Sequence, residues 1–255
     1  MSSQVPKVPP GSGQHPIPVV VVSANDLTAS TAFYSKLLGC QVLPMGPELT
    51  TLLPASGPGI ALRANNPEGF PGVVPFVGVP DVDAALAKAV AAGATVERAP
   101  WKLPMVGTLA RFRDASGTIW GLTSALPPAP PPHGPMPFGD NPKPAARTLC
   151  SLEMYAADGA AAAAFFGAQF GWGSLATMQH YMAFDPGAGI GGVFQSHTPV
   201  APAVAYFYVA DVHATIADIE ASGGARIGDP MAMPGMAMFG YFTDPSGTTM
   251  GLIGP

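Results

Sequence analysis

The chain has 255 residues, of which 48% are hydrophobic and only 11% are charged, with a formal net charge of −5. At about 150 residues per domain, this length predicts one large domain or two small ones. The low charge excludes a disordered polyelectrolyte, and the lack of a basic run argues against a nucleic-acid partner.

The N-terminal region gives no sign of a membrane or export signal. Residues 1–16 are polar and rich in Pro and Gly, without the apolar core of a signal peptide, and we interpret them as a disordered tail. The apolar run from Val19 to Val22 is far too short to span a bilayer. We therefore expect a cytoplasmic protein with no membrane partner.

The elements predicted next, in chain order, form one compact unit over residues 17–124. A β-branched strand leads into Asp26, which caps a helix that Gly39 ends. A second helix begins after Asp81 and stops at Gly93. The predicted strands are Pro18 to Ala24, Thr50 to Leu53, Ile60 to Arg63, Val73 to Val79, Thr108 to Arg113 and Thr118 to Thr123.

A proline-rich segment, residues 125–146, follows this unit. Proline lacks a backbone donor and fixes φ, so the segment is predicted to be a semi-rigid linker rather than a helix or central strand.

The sequence after the linker repeats the sequence before it. Asp26 and Gly39 recur 132 residues later as Asp158 and Gly171. With an offset of 130 residues, Asp81 and Asp114 recur as Asp211 and Asp244. Residues 147–255 are therefore predicted to be a second copy of the module.

The repeated pattern resembles the vicinal oxygen chelate superfamily, which includes glyoxalases, bleomycin-resistance proteins and extradiol dioxygenases. The resemblance depends on three features, which are the Asp-capped helix with Phe33 and Tyr34, the Gly191-Gly-Val193 segment, and the Asp244-Pro-Ser-Gly247 turn. The resemblance is strongest to two-module glyoxalase-like proteins. It implies an α+β fold of two tandem βαβββ modules whose curved mixed sheets form clefts.

The resemblance also implies metal-ligand positions, which we identify by their spacing from the repeated aspartates. These positions hold Val20, Leu152, Pro75, Ala205, Gly121 and Gly251. None has a side chain that can donate a lone pair to a divalent ion. We therefore expect no metal and no cofactor, and neither glyoxalase I nor dioxygenase activity is supported. Glu153, next to Leu152, is expected to point away from the cleft because strand side chains alternate.

The candidate ligand site is predicted to lie in the second module. Strand parity with the implied ligand positions and a methionine-rich loop suggest a wall of adaptable apolar side chains. Its expected members are Leu152, Met154, Tyr181, Phe194, Phe207, Met233, Met236 and Met238. The first-module equivalents, among them Val77, Trp101 and Met105, give fewer aromatic and methionine side chains. No catalytic residue is identified.

These features favour a metal-free protein that binds a small apolar or aromatic molecule, as a monomer or homodimer. The alternative is an enzyme of the same superfamily, a lyase, isomerase or dioxygenase-like protein with an atypical site. His180 and His197 leave an acid–base role open, although both also fit ordinary loop histidines. A purely structural protein is the third class.

Overall fold

The structure is a computed structural model that describes residues 7–64, 72–125, 143–233 and 237–255. It contains two eight-stranded mixed sheets, each built from one half of the repeat. The strand order is β2-β3-β4-β1-β5-β8-β7-β6 in the first sheet and β10-β11-β12-β9-β13-β16-β15-β14 in the second. The identical order confirms two tandem modules.

Among its described residues, the first module contains two helices and eight strands. Its helices are α1 (Leu27–Leu38) and α2 (Val82–Ala91). Its strands are β1 (Val19–Ala24), β2 (Gln41–Gly46), β3 (Leu49–Leu53), β4 (Gly59–Ala64), β5 (Val73–Gly78), β6 (Thr95–Leu103), β7 (Gly107–Arg113) and β8 (Ile119–Thr123).

The second module repeats this order. Its helices are α3 (Gly159–Phe170) and α4 (Val212–Glu220). Its strands are β9 (Thr148–Tyr155), β10 (Gly173–Met178), β11 (Tyr181–Asp185), β12 (Gly192–Gln195), β13 (Ala203–Tyr208), β14 (Ala225–Met233), β15 (Ala237–Thr243) and β16 (Thr249–Gly254).

Each module therefore contains the βαβββ order twice in succession, and the predicted α+β fold class is confirmed. The strands that the sequence did not reveal are β2, β6, β10 and β14, which form the edges of the two sheets. Edge strands tolerate proline and need no buried face. Pro44 in β2 and Pro100 in β6 fit this rule, and both strands are largely exposed.

The repeated aspartates act as helix caps and turn anchors. The side chain of Asp26 accepts a hydrogen bond from the Ala29 amide at 3.0 Å, and Asp158 does the same for α3. Gly39 ends α1 with φ 61°, a left-handed conformation that favours glycine. Oδ1 of Asp244 accepts from the amides of Ser246 and Thr248 in the final hairpin turn.

One hydrophobic core joins the two modules across the helix-bearing faces of both sheets. The rings of Trp120 and Phe166 lie 4.4 Å apart, so a first-module strand packs on a second-module helix. Conversely, the hydroxyl of Tyr34 on the first-module helix α1 donates a hydrogen bond to the carboxylate of Asp244 in the second module at 2.8 Å. These reciprocal contacts fix the relative position of the modules.

Residues 7–16, predicted to belong to a disordered tail, instead lie along the second module; we call this stretch the N-terminal strap. The amides of Ser12 and Gly13 donate to the carbonyls of Gly171 and Pro186, at 2.8 and 2.9 Å. Val8 is buried in an apolar cluster with second-module residues. The amino-acid composition gave no sign of this packing, because the strap is held chiefly by hydrogen bonds of its backbone.

The linker predicted over residues 125–146 falls mostly outside the described residues, as do residues 1–6 of the predicted tail. The first sheet ends at Thr123 and the second begins at Thr148. Within the described residues, no helix combines the length and apolar character required to span a bilayer.

Candidate functional site

The face of each sheet that points away from the common core is a candidate site. We call these the first inner face and the second inner face. On the first, a row of paired residues runs through Thr51, Ala61, Val21 and Val74. On the second, the same row runs through Ala183, Val193, Glu153 and Val204.

The first inner face holds a cavity of about 610 Å³. Ligand pockets commonly have volumes of ~300–1,000 Å³ and are mostly apolar. The apolar lining includes Val19, Val21, Leu49, Val74, Phe76, Trp101, Leu103 and Leu109. The polar lining is sparse, with Thr51, Thr123, Glu48, Arg63 and Arg111. This composition suits a small molecule with one or two polar groups.

A buried ion pair lies beside the cavity. Nε of Arg111 is 2.6 Å from a carboxylate oxygen of Glu97, and the Arg111 side chain is only 2% exposed. The guanidinium of Arg98 lies 4.1 Å from the ring centre of Trp101, and that of Arg111 lies 5.9 Å from the same centre. These contacts hold an aromatic ring and cationic groups together at one wall.

An aromatic ring occupies the space above a glycine on each inner face. A Cβ atom added to Gly121 would meet the ring of Phe76 at 2.3 Å, and one added to Gly251 would meet Tyr206 at 2.3 Å. Any larger side chain would displace the ring. These glycines are two of the positions where the resemblance implies a metal ligand, and packing explains why no donor stands there.

The second inner face carries a cluster of hydroxyl and carboxyl groups. The Tyr206 hydroxyl lies 3.1 Å from Oε2 of Glu153 and 2.7 Å from the Tyr241 hydroxyl. Burial raises the pKa of Glu153, whereas hydrogen bonding from Tyr206 and the nearby charge of His197 oppose that rise. Burial also raises the pKa of Tyr206 well above its usual value. Glu153 thus points into the inner face, and the predicted orientation is wrong.

A second pair of polar side chains stands at the edge of this cluster. The hydroxyl of Tyr181 hydrogen-bonds Nε2 of His197 at 2.5 Å. Burial, followed by the charge of Glu153, raises the pKa of Tyr181 to about 12. His180 is exposed and lies close to Ser196, with φ 67° in the left-handed region.

The structure corrects the predicted ligand wall. The side chains predicted there from strand parity lie in the common core, fully buried: Leu152, Met154, Phe194 and Phe207. The predicted facing of these strand residues is wrong by one position. Val20 and Leu152 face the common core, and their neighbours along each strand face the cleft. A one-residue slip transfers every side chain of a strand to the other face.

The remaining predicted residues are dispersed. Tyr181 alone joins the second inner face, in the apolar cluster that includes Val193 and Val204. Met238 is partly buried against the common core, Met233 is half-buried at the end of β14, and Met236 lies outside the described residues. The large cavity lies in the first module, not in the second as predicted.

Sequence reasoning missed Phe76, Arg111 and Glu153 as residues of the inner faces. A signal was present, because Phe76 and Gly121 recur together as Tyr206 and Gly251. An aromatic residue paired with a glycine on the neighbouring strand indicates a ring lying over that glycine.

The side chains on the inner faces do not fit the divalent metal ion that the resemblance implies. The first-face positions of β1 and β5 hold Val19, Val21 and Val74. On the second face the carboxylate of Glu153 is already bonded by Tyr206. No group of three His, Cys, Asp or Glu residues that could hold an ion exists in the described ranges. Zinc and related ions need such donor sets.

Comparison with known proteins agrees with this architecture. Residues 17–122 match the family model of the Glyoxalase/Bleomycin resistance protein/Dioxygenase superfamily. A curated relative from Mycobacterium bovis, named "Putative glyoxylase CFP32", is 27% identical over 252 residues, covering 92% of this chain and 93% of the relative.

Two crystal structures show the same fold at low sequence identity. The Mn(II)-bound glyoxalase from Novosphingobium aromaticivorans has a TM-score of 0.63 and 16% identity, covering 94% of this chain and 81% of that one. The 2,3-dioxygenase LapB from Pseudomonas sp. KL28 has a TM-score of 0.61 and 14% identity, covering 96% and 93%. These structures share the two-module fold of this chain, and residues 17–122 are similar to the glyoxalase/bleomycin resistance/dioxygenase family model.

Proposed function

We propose that the protein binds a small, largely apolar or aromatic molecule in the cavity of the first inner face, without a metal ion. The observation that carries this proposal is the cavity itself, about 610 Å³ and lined chiefly by aliphatic and aromatic side chains. The sparse polar lining would orient the ligand, as in most small-molecule sites.

The energetics allow useful affinity without catalysis. Burial of apolar surface contributes roughly 25 cal/mol per Å². An aromatic ligand that buries on the order of 200 Å² would gain about 5 kcal/mol on that scale. Contacts with Trp101 and Phe76 would add to this gain, while association costs reduce it. We expect sub-millimolar to millimolar binding, because a free energy of about 5 kcal/mol corresponds to a Kd of about 0.2 mM.

The donor chemistry of the inner faces supports a binding protein over a metal enzyme. The Mycobacterium relative carries the name of a glyoxylase, and the Novosphingobium structure is a Mn(II)-bound glyoxalase. In this chain the corresponding faces present valine, phenylalanine and glycine. We therefore expect no turnover of the methylglyoxal–glutathione adduct with or without added divalent metal. Elemental analysis of the dialysed protein should find far less than one metal ion per module.

An acid–base enzyme is the second candidate. It is favoured by Glu153, a buried carboxyl with a raised pKa and a tyrosine hydroxyl in contact. Such carboxyls are common general acids and bases. The second inner face, however, is occupied by Tyr206 and by Val8 of the N-terminal strap. The first-face cavity therefore supports binding better than the second face supports catalysis.

The test is a methyl NMR titration of the full chain with 2-naphthamide, a neutral aromatic probe. We expect the methyl signals of Leu49, Leu103 and Leu109 to shift before those of Val193 and Val204. The variant Leu49→Trp should fill part of the cavity and weaken binding at least tenfold, about 1.4 kcal/mol. Tyr181→Trp changes the matching position of the second module and should leave the affinity unchanged.

Two results would contradict the proposal. One is a titration in which second-face methyl groups respond first. The other is a titration in which no methyl group responds at millimolar probe.

A further inference from the structure

The two modules differ in charge as well as in the contents of their inner faces. Residues 17–124 carry seven Asp or Glu residues and seven Lys or Arg residues, whereas residues 148–255 carry eight Asp or Glu residues and one arginine, Arg226. Arg226 is already paired with Glu220 and Asp229, at 3.8 and 2.6 Å. The net negative charge of the second module therefore favours the approach of a cationic molecule.

Two of these carboxylates lie on the second inner face. Glu153 belongs to the row of paired residues on that face, and Asp185 lies two residues after Ala183 on β11, so the alternation of strand side chains places it on the same face. Both side chains are buried, and burial raises the pKa of each. Among the described residues, neither carboxylate forms an ion pair with a lysine or an arginine. An ammonium group is thus the partner that these carboxylates lack.

A buried amide group lies on the same face. Gln195 pairs with Tyr181 across β11 and β12 and is only 1% exposed. Its amide oxygen accepts a hydrogen bond from the backbone amide of His197 at 2.9 Å. Its amide nitrogen helps to lower the pKa of Glu153 but makes no hydrogen bond of regular geometry within the described part of the chain. Since buried polar atoms normally have partners, this nitrogen is a donor that a ligand can use.

The N-terminal strap places an apolar side chain on the second inner face. Val8 is 6% exposed and packs in an apolar cluster that contains Val193, Val204 and Tyr206. The first-module counterparts of these three residues all line the first-face cavity: Ala61, Val74 and Phe76. Val8 therefore packs with the part of the second inner face that corresponds to the cavity of the first.

The strap is attached differently along its length. Residues 12–16 are held by hydrogen bonds, including one from the indole of Trp172 to the carbonyl of His15 at 2.9 Å. Residues 7–11, all of which the structure describes, make no backbone–backbone hydrogen bond, and Val8 is their one buried side chain. Pro9 and Pro10 have no backbone donor to add. A ligand that displaces this end competes with one apolar side chain and leaves the bonds of residues 12–16 intact.

We propose that the second inner face is a separate binding site for a small amino alcohol with an apolar body, and that Val8 holds the place of this body until the ligand displaces it. The ammonium group neutralises the buried carboxylate of Glu153, and the hydroxyl oxygen accepts a hydrogen bond from the amide nitrogen of Gln195. The rings of Tyr181 and Tyr206 add aromatic surface that favours a cation. The site is independent of the first-face cavity, so its failure would leave the binding proposed there unchanged.

The test is a titration of the full chain with 2-amino-1-phenylethanol at neutral pH, followed by methyl NMR and calorimetry. We expect the methyl signals of Val193 and Val204 to shift, and those of Val8 to move to the values of a flexible, solvent-exposed valine. Two matched probes, 1-phenylethanol without the amine and 2-phenylethylamine without the hydroxyl, should each bind about tenfold more weakly. Added salt should weaken the binding of both amines but not that of 1-phenylethanol.

Three variants assign the effect to its residues. Glu153→Gln keeps the shape of the side chain but removes its charge, so the preference for the amino alcohol over 1-phenylethanol should disappear while Val8 stays packed. Val8→Ser weakens the competing strap, so the amino alcohol should bind about fivefold more tightly. Gln14→Ala changes an exposed residue of the same strap and should leave the affinity unchanged.

Each result decides one part of the proposal. The ligand class is overturned if 1-phenylethanol binds as tightly as the amino alcohol, or if Glu153→Gln retains the preference. Displacement of the strap is overturned if the Val8 signals do not move at saturation, or if Val8→Ser binds no more tightly than Gln14→Ala. If Glu153→Gln does not fold, a salt-independent affinity of the wild-type chain for the amino alcohol overturns the ligand class.

Discussion

The two inner faces have the same backbone and the same strand order but different contents. Phe76 and Tyr206 occupy matching positions over Gly121 and Gly251. In the second module the Tyr206 hydroxyl extends the ring towards Glu153, and Tyr206 packs in an apolar cluster with Val8 of the N-terminal strap. In the first module, Phe76 has no hydroxyl group, and a cavity lies beside its ring.

The N-terminal strap adds to this difference. A Cβ atom on Gly173 would stand 1.8 Å from the carbonyl oxygen of Pro9, so the strap backbone lies directly on β10. The matching residue of the first module is Gln41, which is exposed. Thus the two copies share a fold, while the first inner face holds a cavity and the second packs against the N-terminal strap. The following experiments test that division.

The largest effect is expected from Phe76→Ala. The ring is 4% exposed and packs over Gly121, so its removal leaves a void that opens into the existing cavity. Truncation of a buried phenylalanine costs about 3–5 kcal/mol. Urea unfolding followed by tryptophan fluorescence measures this loss. A cost below about 1 kcal/mol would show that the ring is not a structural part of the first inner face.

Tyr206→Phe converts the second face to the side chain found in the first. Loss of the hydroxyl removes a donor to the buried Glu153 carboxylate, and a hydrogen bond to a charged group contributes about 1.5–3 kcal/mol. Urea unfolding at neutral pH checks this value. Tyr208→Phe, on the same strand, is the control and should change stability by less than about 0.5 kcal/mol. Equal effects of the two variants would contradict the proposed bond.

Gly173→Ala should displace the N-terminal strap. The added methyl group collides with the Pro9 backbone, and such overpacking costs about 1–3 kcal/mol. Hydrogen exchange at the amides of Ser12 and Gly13 should accelerate, because their bonds to Gly171 and Pro186 are lost. Gln41→Ala at the matching first-module position should leave exchange unchanged. Unaltered protection of Ser12 in the Gly173 variant would disprove the strap contact.

The smallest effect is a pH dependence of the second face. Because burial raises the pKa of Glu153, the folded chain binds this proton more tightly than the unfolded chain does. The stability linked to it is present below the unfolded-state pKa of ~4.3 and is lost as the pH rises through the folded pKa. Glu153→Gln should therefore gain stability over wild type at neutral pH and lose that advantage near pH 4 (about the unfolded-state value). An advantage that grows towards low pH would contradict the assignment.

Sequence patterns predicted the fold because the repeat marks positions that the backbone requires. Asp26 and Asp158 cap helices, and Gly39 and Gly171 adopt left-handed conformations at their ends. These are local requirements of a helix terminus, so they can be recognised in the sequence without knowledge of the residues that pack around the helix. The spacing of the repeated aspartates and glycines therefore identified two modules of one fold.

The candidate site was decided by tertiary structure. Both faces of β1 are largely apolar and both faces of β9 are buried, since one face meets the common core and the other lines an inner face, so alternation alone did not show which was which. The methionine-rich loop suggested a binding wall, whereas the cavity arises where Arg111, Trp101 and Phe76 converge from three different strands. A strand sequence determines which residues share a face; only the packing of helices and of the other module determines which face is buried.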